Sequence, residues 1–590
     1  MGVAFYFCVG VGIKGGCIHP YPPQNSNPNI MTINEAKTIT LKYLVALYGE
    51  NEGLKLFAAD QSKILSYHGL AWSLGKECFP FFCELFLHDL LFDFSGDCVP
   101  LSETHYSIWR EMQDVILNHN NTRNCYVFPR SFGKSTTITI PLALWCGLYC
   151  FHPFIVVDSA TDAQSQNFIA TMKNQIEDNE MIKMCFGDVV NRNLKYNASE
   201  IELDIQPQRS KIQSVSSTSS VRGINYGSFR IGLLILDDAQ DEKQITTEQS
   251  AAALVSRINN GILKALQNKN NHVIALGTVQ RKGDLYDTFI HSPAWKTRTE
   301  KCIQMDDIDY YFRNDEHWQK VKSILMTKST NENALYDAEN YYMAHKDEMD
   351  FPVIWNNYDC FSLALEYFED AVSFKKERQC DINSLGERRI HSISAISAEE
   401  IEAREYCKTI LSVDPASTTG KKSDYTAFCV LSEDADNHLK YARKMIIDKL
   451  EFDNYIDYVI GLLKAYTDIG ALSVEKQVYS GADVLKIRER IDRDPELVNR
   501  PLTIINKARG RNENKDNRIS AIIPDINMGR IIFNEDDIDA IEQVKEFAGT
   551  AYTAHDDMID ALTDAMENLS QFEENKIPKL RMMDFSAIGL

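Results

Sequence analysis

No stretch of this 590-residue sequence comes near the roughly 20 consecutive apolar residues that a membrane-spanning helix needs, which argues against a membrane role. An excess of positive charge is missing as well: 62 Lys and Arg face 84 Asp and Glu, a net charge of -22. That excludes a passive nucleic-acid coat, because nonspecific affinity for phosphates comes mainly from Lys and Arg, so any such contact must be local. Paired cysteine motifs are lacking too. The 14 cysteines are scattered, and Cys78 with Cys83 has no second pair for a zinc site, so they read as reduced cytosolic thiols. There are no repeats and no low-complexity tracts, and the apolar run Val3 to Val11 has no basic lead-in. Residues 1–30 are expected to be an unstructured extension, with the ordered chain, and even the start of the protein, near Met31.

What is present is a chain too long for one hydrophobic core; at about 100 to 200 residues per domain, two or three domains are expected. Residues 31–120 show helical periodicity and many aromatics, including Phe79, Phe81, Phe82 and Trp109, and read as a helical lead-in. Over 121–300, short β-branched runs alternate with helical stretches: Tyr126-Val127-Phe128, Phe154-Ile155-Val156-Val157, Leu233-Leu234-Ile235-Leu236 and Val273-Ile274-Ala275-Leu276. This is the pattern of an α/β domain with a parallel sheet. Residues 301–405 are polar and weakly periodic, the expected end of that domain and a linker. A second β-rich block opens at Thr409 and closes with a helix after His555, giving a domain over 406–572 and a tail over 573–590.

The first run leads into Pro129-Arg130-Ser131-Phe132-Gly133-Lys134-Ser135-Thr136 and then a helix, the context of a phosphate-binding loop. Backbone N–H groups from Ser131 to Thr136 would cradle phosphate oxygens at the helix start. Lys134 would neutralise the β- and γ-phosphates of ATP, and the Ser135 hydroxyl would ligate Mg²⁺, a hard cation that wants oxygen ligands. The usual first glycine of the pattern is replaced by Phe128. The run Leu233 to Leu236 ends in Asp237 and Asp238; Asp237 would hold the Mg²⁺ shell, and Asp238 sits where a general base could polarise water. Thr278, after Gly277, reads either as a γ-phosphate sensor or as part of a simple turn.

In the second block, one strand ends in Asp414 and another in Glu475, and His555-Asp556-Asp557-Met558-Ile559-Asp560-Ala561 opens a helix with Asp557 and Asp560 on one face. Carboxylates at adjacent strand tips plus a helix carboxylate can hold two divalent ions about 3.5 to 4 Å apart, which suits phosphodiester hydrolysis. Asp414, Glu475 and Asp557 are therefore the expected catalytic and metal ligands, with Asp560 as a further ligand and Mg²⁺ or Mn²⁺ as the ion. Asp556 could instead cap the helix. Lys486 to Arg518 is the main basic exception; Lys507 to Arg511 suits a DNA backbone, whereas Lys486, Arg488 and Arg490 fit a solvated helix equally well.

Taken in order, Phe128 to Thr136, Val221-Arg222-Gly223, Leu236-Asp237-Asp238, Gly277-Thr278 with Asp284-Leu285, Val413-Asp414-Pro415, Glu475 and His555 to Ala561 resemble the large terminase subunits of tailed bacteriophages. The resemblance implies an ASCE-type P-loop ATPase joined to an RNase H-like nuclease. It implies a motor that packages double-stranded DNA and cuts concatemers, a ring on the procapsid portal protein, and a small terminase subunit as partner. The host cytoplasm, with transient residence on the procapsid but not in the mature virion, is the expected location. Terminases often lack the first glycine and carry Arg in the loop, so Arg130 becomes a phosphate- or charge-sensing residue. Arg222 becomes either an arginine finger or an interior ion-pair partner. His105 and Trp109 resemble the adenine-contacting segment, or are aromatics on a helix face. Asp238 departs from the family, which often has Glu there. A helicase-nuclease of repair would share both sites but should show further helicase motifs; a scaffold with decayed sites would not keep Gly133-Lys134-Ser135.

Overall fold

The computed structural model describes residues 31–91, 100–191, 193–217, 219, 224–327, 331, 333–381, 384, 386–416, 425–475, 481–506, 515–550 and 552–571. The expected extension 1–30, the tail 573–590, the loop 507–511 and Arg222 lie outside them. The chain forms two compact units. One comprises Met1–Gln304, Pro352–Asp359 and Glu377–Ile382; the other comprises Met305–Phe351, Cys360–Lys376 and Asn383–Leu590. The segment 301–405, read as the end of the first domain, is thus shared: its helices Ile308–Asn314, Glu316–Met326, Ala334–Ala344 and Cys360–Glu369 cluster with the second unit. Phe312, Trp318, Phe351 and Phe368 pack on one another, and Asn527 Nδ2 ties the end of the last of these helices to the second unit by donating to the Glu369 carbonyl at 2.9 Å.

The first unit is built on seven strands, β1 (Asn121–Val127), β2 (Phe154–Ser159), β3 (Glu200–Ile205), β4 (Gln208–Ser216), β5 (Leu233–Asp237), β6 (Asn271–Gly277) and β7 (Lys296–Thr299), in the order β3-β4-β2-β5-β6-β1-β7. All neighbours are parallel except β3 and β4. β5 reads as a continuous apolar run because both its faces are covered: Leu233 and Ile235 join one core, Leu234 and Leu236 the other. β6 separates the strand that feeds the glycine loop from the strand that ends in Asp237, so the sheet has the additional central strand that an ASCE-type fold implies. The lead-in is helical, from Ile33–Tyr48, opened by a Thr32/Glu35 capping box, to Glu103–Asn118. Phe79, Phe81 and Phe82 are fully buried there.

The second unit carries β8 (Ser394–Ile396), β9 (Tyr406–Asp414), β10 (Thr426–Asp434), β11 (Lys440–Asp448), β12 (Ala471–Val474), β13 (Thr503–Ile505) and β14 (Ile531–Asn534), in the order β13-β12-β9-β10-β11-β14-β8. β9, β10 and β11 form an antiparallel meander, and the flanking pairs are parallel. Side chains alternate between faces. Ile410, Ala427, Cys429 and Leu431 face the helix Asp557–Gln571, whereas Leu411, Val413, Phe428 and Val430 face the helix Phe452–Ala465. Burying each such Leu, Ile, Val or Phe stabilises the unit by about 1.5–3 kcal/mol relative to exposure, which fixes the strand register and so the height of every residue at the strand tips.

Candidate functional sites

β1 ends by passing Phe128 into the loop, and the loop is shaped by aromatic packing rather than by the missing glycine. The Phe132 ring is stacked between Phe128, 5.0 Å between centroids, and His105, 4.2 Å away at an interplanar angle of 9°. His105 Nδ1 accepts from the Ser102 N–H at 3.1 Å, so its Nε2–H donates to the Phe132 carbonyl at 3.2 Å. Burial holds the His105 pKa down to about 4, which keeps this tautomer neutral near pH 7. Trp109 donates from Nε1 to the Thr137 carbonyl at 2.6 Å, holding the first helical turn after the loop. Both residues therefore act here as props of the loop.

Gly133 at φ +78° and Ser131 at φ +64° both turn left-handed, which gathers successive N–H groups into an anion-binding concavity. Segments that are distant in sequence hold the loop from outside. The Arg130 N–H donates to the Glu377 carbonyl at 2.9 Å, and the Arg130 carbonyl accepts from Tyr358 Oη at 3.0 Å and Arg378 Nη1 at 2.6 Å. The Arg130 guanidinium itself is exposed, 3.9 Å from Glu377. Thr136 is exposed, whereas Thr137 closes the loop by donating from Oγ1 to the Gly133 carbonyl at 2.9 Å.

Lys134 is 8% exposed, with Nζ 3.8 Å from Asp238 Oδ2. Asp237 is fully buried at the end of β5, and neither of its carboxylate oxygens has a hydrogen-bond partner. Burial first, then the neighbouring charge of Asp238, pushes its pKa up to about 6, while Ser135 and Thr139 lie close enough to oppose the shift without reaching hydrogen-bond geometry. A buried carboxylate with two unsatisfied oxygens beside a serine hydroxyl fits a magnesium ion, which takes oxygen ligands and supplies the compensating charge. Asp238 stands in a left-handed conformation, φ +44°, pinned by its N–H to Leu276 O at 2.8 Å and by the Ala160 N–H to its own carbonyl at 3.1 Å. Thr278 is buried, and its carbonyl accepts from Gln240 Nε2 at 3.2 Å. Gln240 also donates to Asp284 at 2.8 Å and accepts from the Leu285 N–H at 3.1 Å, tying the loop after β6 to the loop after β5. The sequence reading missed Gln240, Thr137, Thr139, Tyr358 and Arg378; Thr137 and Thr139 directly follow the loop and Gln240 stands three residues after Asp237, whereas nothing local marks Tyr358 and Arg378.

In the second unit, the parallel register of β12 on β9 pairs Val474 with Val413, and the Glu475 N–H donates to Val413 O at 3.3 Å. Glu475 is thereby set beside Asp414. Asp560, fully buried on the helix Asp557–Gln571, completes the group: carboxylate oxygens of Asp414, Glu475 and Asp560 lie within 4.8 Å of one another. All three supply hard oxygen donors in a partly buried setting, which fits Mg²⁺ or Mn²⁺. Asp557, expected beside Asp560 among these ligands, is not one of the three residues whose oxygens lie within 4.8 Å of one another. It lies one turn earlier, at the helix start, where its Oδ2 accepts from the Tyr425 N–H at 3.0 Å and holds the entry to β10. Two carboxylates on one helix face look alike in sequence; the height of the helix against β9 sets Asp560 level with Asp414 and Glu475.

Lys515 and Arg518, at the end of the basic stretch Lys486 to Arg518, turn inward to carboxylates. Lys515 Nζ lies 2.7 Å from Asp556 and 3.0 Å from Asp560, and Arg518 Nη1 lies 3.5 Å from Asp560 while its other nitrogens bind Asp564 and Glu567. Burial works against the Lys515 charge, but the two aspartates outweigh it and raise its pKa above the usual lysine range. Asp556 is thus an ion-pair partner of Lys515. Lys486 and Arg490 pair with Glu489 and Asp457, as a solvated helix would.

Residues 411–569 match the family model described as the terminase RNaseH-like domain. Among solved structures, the large terminase of a thermophilic bacteriophage aligns over 80% of this chain and 100% of its own, at 10% identity and a TM-score of 0.38. The bacteriophage HK97 large terminase aligns over 84% and 99%, at 12% and 0.33, and the human cytomegalovirus terminase nuclease domain over 29% and 88%, at 17% and 0.23. No curated protein sequence matches the chain.

Proposed function

Since residues 411–569 of this chain match the terminase RNase H-like family, we propose that the whole chain is the motor-nuclease of a viral packaging machine: it hydrolyses ATP to drive double-stranded DNA into a procapsid and cuts concatemers with divalent metal ions. The observation that carries the nuclease half is the convergence of Asp414, Glu475 and Asp560 at the tips of β9 and β12 and on one helix. These carboxylates would hold Mg²⁺ or Mn²⁺, which supplies water activation and charge neutralisation at the scissile phosphate. Lys515 and Arg518 fix the orientation of Asp560 and offset its buried charge.

In the motor half, the N–H groups of the loop and Lys134 would bind the ATP phosphates, Ser135 and Asp237 would hold magnesium, and Asp238 would orient the attacking water. Its ion pair with Lys134 supports that placement, because the lysine must exchange Asp238 for phosphate when nucleotide enters. Gln240 and Asp284 provide a buried route from this site to the loop after β6 that carries Thr278. Portal protein, a small terminase subunit and a ring of copies are the partners this function calls for, in the host cytoplasm on the procapsid. Arg130 and Arg222 are the proposed charge-sensing and finger residues. The test is a crossed pair of variants: Lys134→Ala should abolish DNA-stimulated ATP turnover and spare metal-dependent nicking, and Asp414→Ala should do the reverse. Loss of both activities in either variant, with the fold intact, would contradict separate sites.

A further inference from the structure

Among the described residues, a second group brings metal-ligating atoms within 4.8 Å of one another: Cys407, Glu433 and His438. Its chemistry differs from that of the acidic triad, since it offers a thiol, a carboxylate and an imidazole. Cys407 lies on β9 seven residues before Asp414, about 23 Å along the strand, so this group sits at the opposite rim of the same sheet. The backbone sets it up. The pairing of β10 with β9 slips between Glu433 and Asp434, which brings Cys407 Sγ to 3.5 Å from the Glu433 carbonyl. The hairpin that follows is held by Asp434 Oδ1, which accepts from the Asp436 and Asn437 N–H groups, and by Asn437 Oδ1, which accepts from the Leu439 N–H. Within it His438 adopts a left-handed φ of +57°, and its Nδ1 lies 3.0 Å from Glu433 Oε1. A strained residue in a pinned hairpin, aimed at a carboxylate and a thiol, is a pre-organised set of donors.

We propose that Cys407, Glu433 and His438 form a second metal centre that takes Zn²⁺, with water completing the coordination. Sulfur and imidazole donors favour zinc over magnesium, which demands oxygen. Binding replaces the Cys407 S–H bond by an S–Zn bond and releases the proton to solvent. Zinc at bond lengths of about 2.0–2.3 Å draws its ligand atoms to roughly 3.5 Å from one another, a closure that rotation of the exposed His438 side chain provides. Lys440, with Nζ 3.2 Å from Glu433 Oε2, is the resident cation; the metal takes the oxygen that faces His438 and leaves the other to the lysine. The centre would clip the β10–β11 hairpin to the start of β9 and is independent of nucleotide and DNA.

Titration of the full chain with Co²⁺ tests this, because a thiolate–cobalt bond gives a near-ultraviolet charge-transfer band that an all-carboxylate site cannot give. The band is expected in the wild type and in Asp414→Ala, displaced by Zn²⁺, and lost in Cys407→Ser and in His438→Ala. Absence of the band in the wild type, or its survival in Cys407→Ser, would overturn the proposal. Magnesium-dependent nicking is expected to be unchanged in Cys407→Ser, which separates this centre from the acidic triad.

Discussion

Asp158 closes β2 with a side chain that is 1% exposed, and burial pushes its pKa up to about 8 although Ser217 donates to it at 3.3 Å. The folded chain therefore holds a proton that the unfolded chain, with an aspartate pKa of about 3.9, has released. Stability from this group is complete below about pH 4 and is lost as the pH rises through about 8. Asp158→Asn keeps the acceptor for Ser217 and removes the titration. Its urea midpoint should fall less than that of the wild type between pH 4 and pH 8, and parallel curves would contradict the assignment. At the acidic triad, Asp560→Asn should abolish nicking and weaken Mn²⁺ binding measured by calorimetry, while Asp557→Asn should chiefly lower the melting temperature, because it leaves the triad whole and weakens the contact to Tyr425. Equal loss of Mn²⁺ affinity in both variants would return Asp557 to the centre.

Among the elements, the phosphate loop shows where local sequence suffices and where it does not. Gly133-Lys134-Ser135 after a β-branched run announces strand, loop and helix on its own, and the observed order follows it. Nothing local announces that Tyr358 and Arg378 grip the Arg130 carbonyl, since those contacts close over more than two hundred residues. The loop's dependence on backbone shape can be tested at Gly133: a Cβ there meets nothing closer than 3.5 Å, so Gly133→Ala suffers conformational strain without a clash. At about 1–2 kcal/mol for a left-handed alanine, affinity for an ATP analogue should fall about tenfold in a fluorescence titration. Unchanged affinity would mean that the left-handed turn is not part of the binding shape. The same contrast holds for the helix Asp557–Gln571, whose acidic first turn is plain in sequence while the approach of Asp560 to Asp414 and Glu475 depends on packing against β9 and β10.

Across the whole molecule, alternation of buried runs was enough to read two α/β blocks, because strands covered on both faces must be apolar throughout and those runs are hard to mistake. The region 301–405 was not legible in the same way. Its helices bury aromatics against one another and cluster with the second unit, while Pro352–Asp359 and Glu377–Ile382 return to the first, and a polar, weakly periodic sequence gives no sign of such crossings. The inward-facing cations Lys515 and Arg518 carry a related lesson: in a chain of net charge -22, a basic cluster can serve to neutralise buried carboxylates as well as to meet phosphate.

Both halves depend on two separate sets of oxygen ligands within one chain. Crystals grown with Mn²⁺ and a non-hydrolysable ATP analogue, measured at the manganese absorption edge, address this directly. Anomalous peaks are expected beside Asp237 and Ser135 and within the Asp414, Glu475 and Asp560 group; manganese found at neither place, or at Asp557 in place of Asp560, would contradict the account.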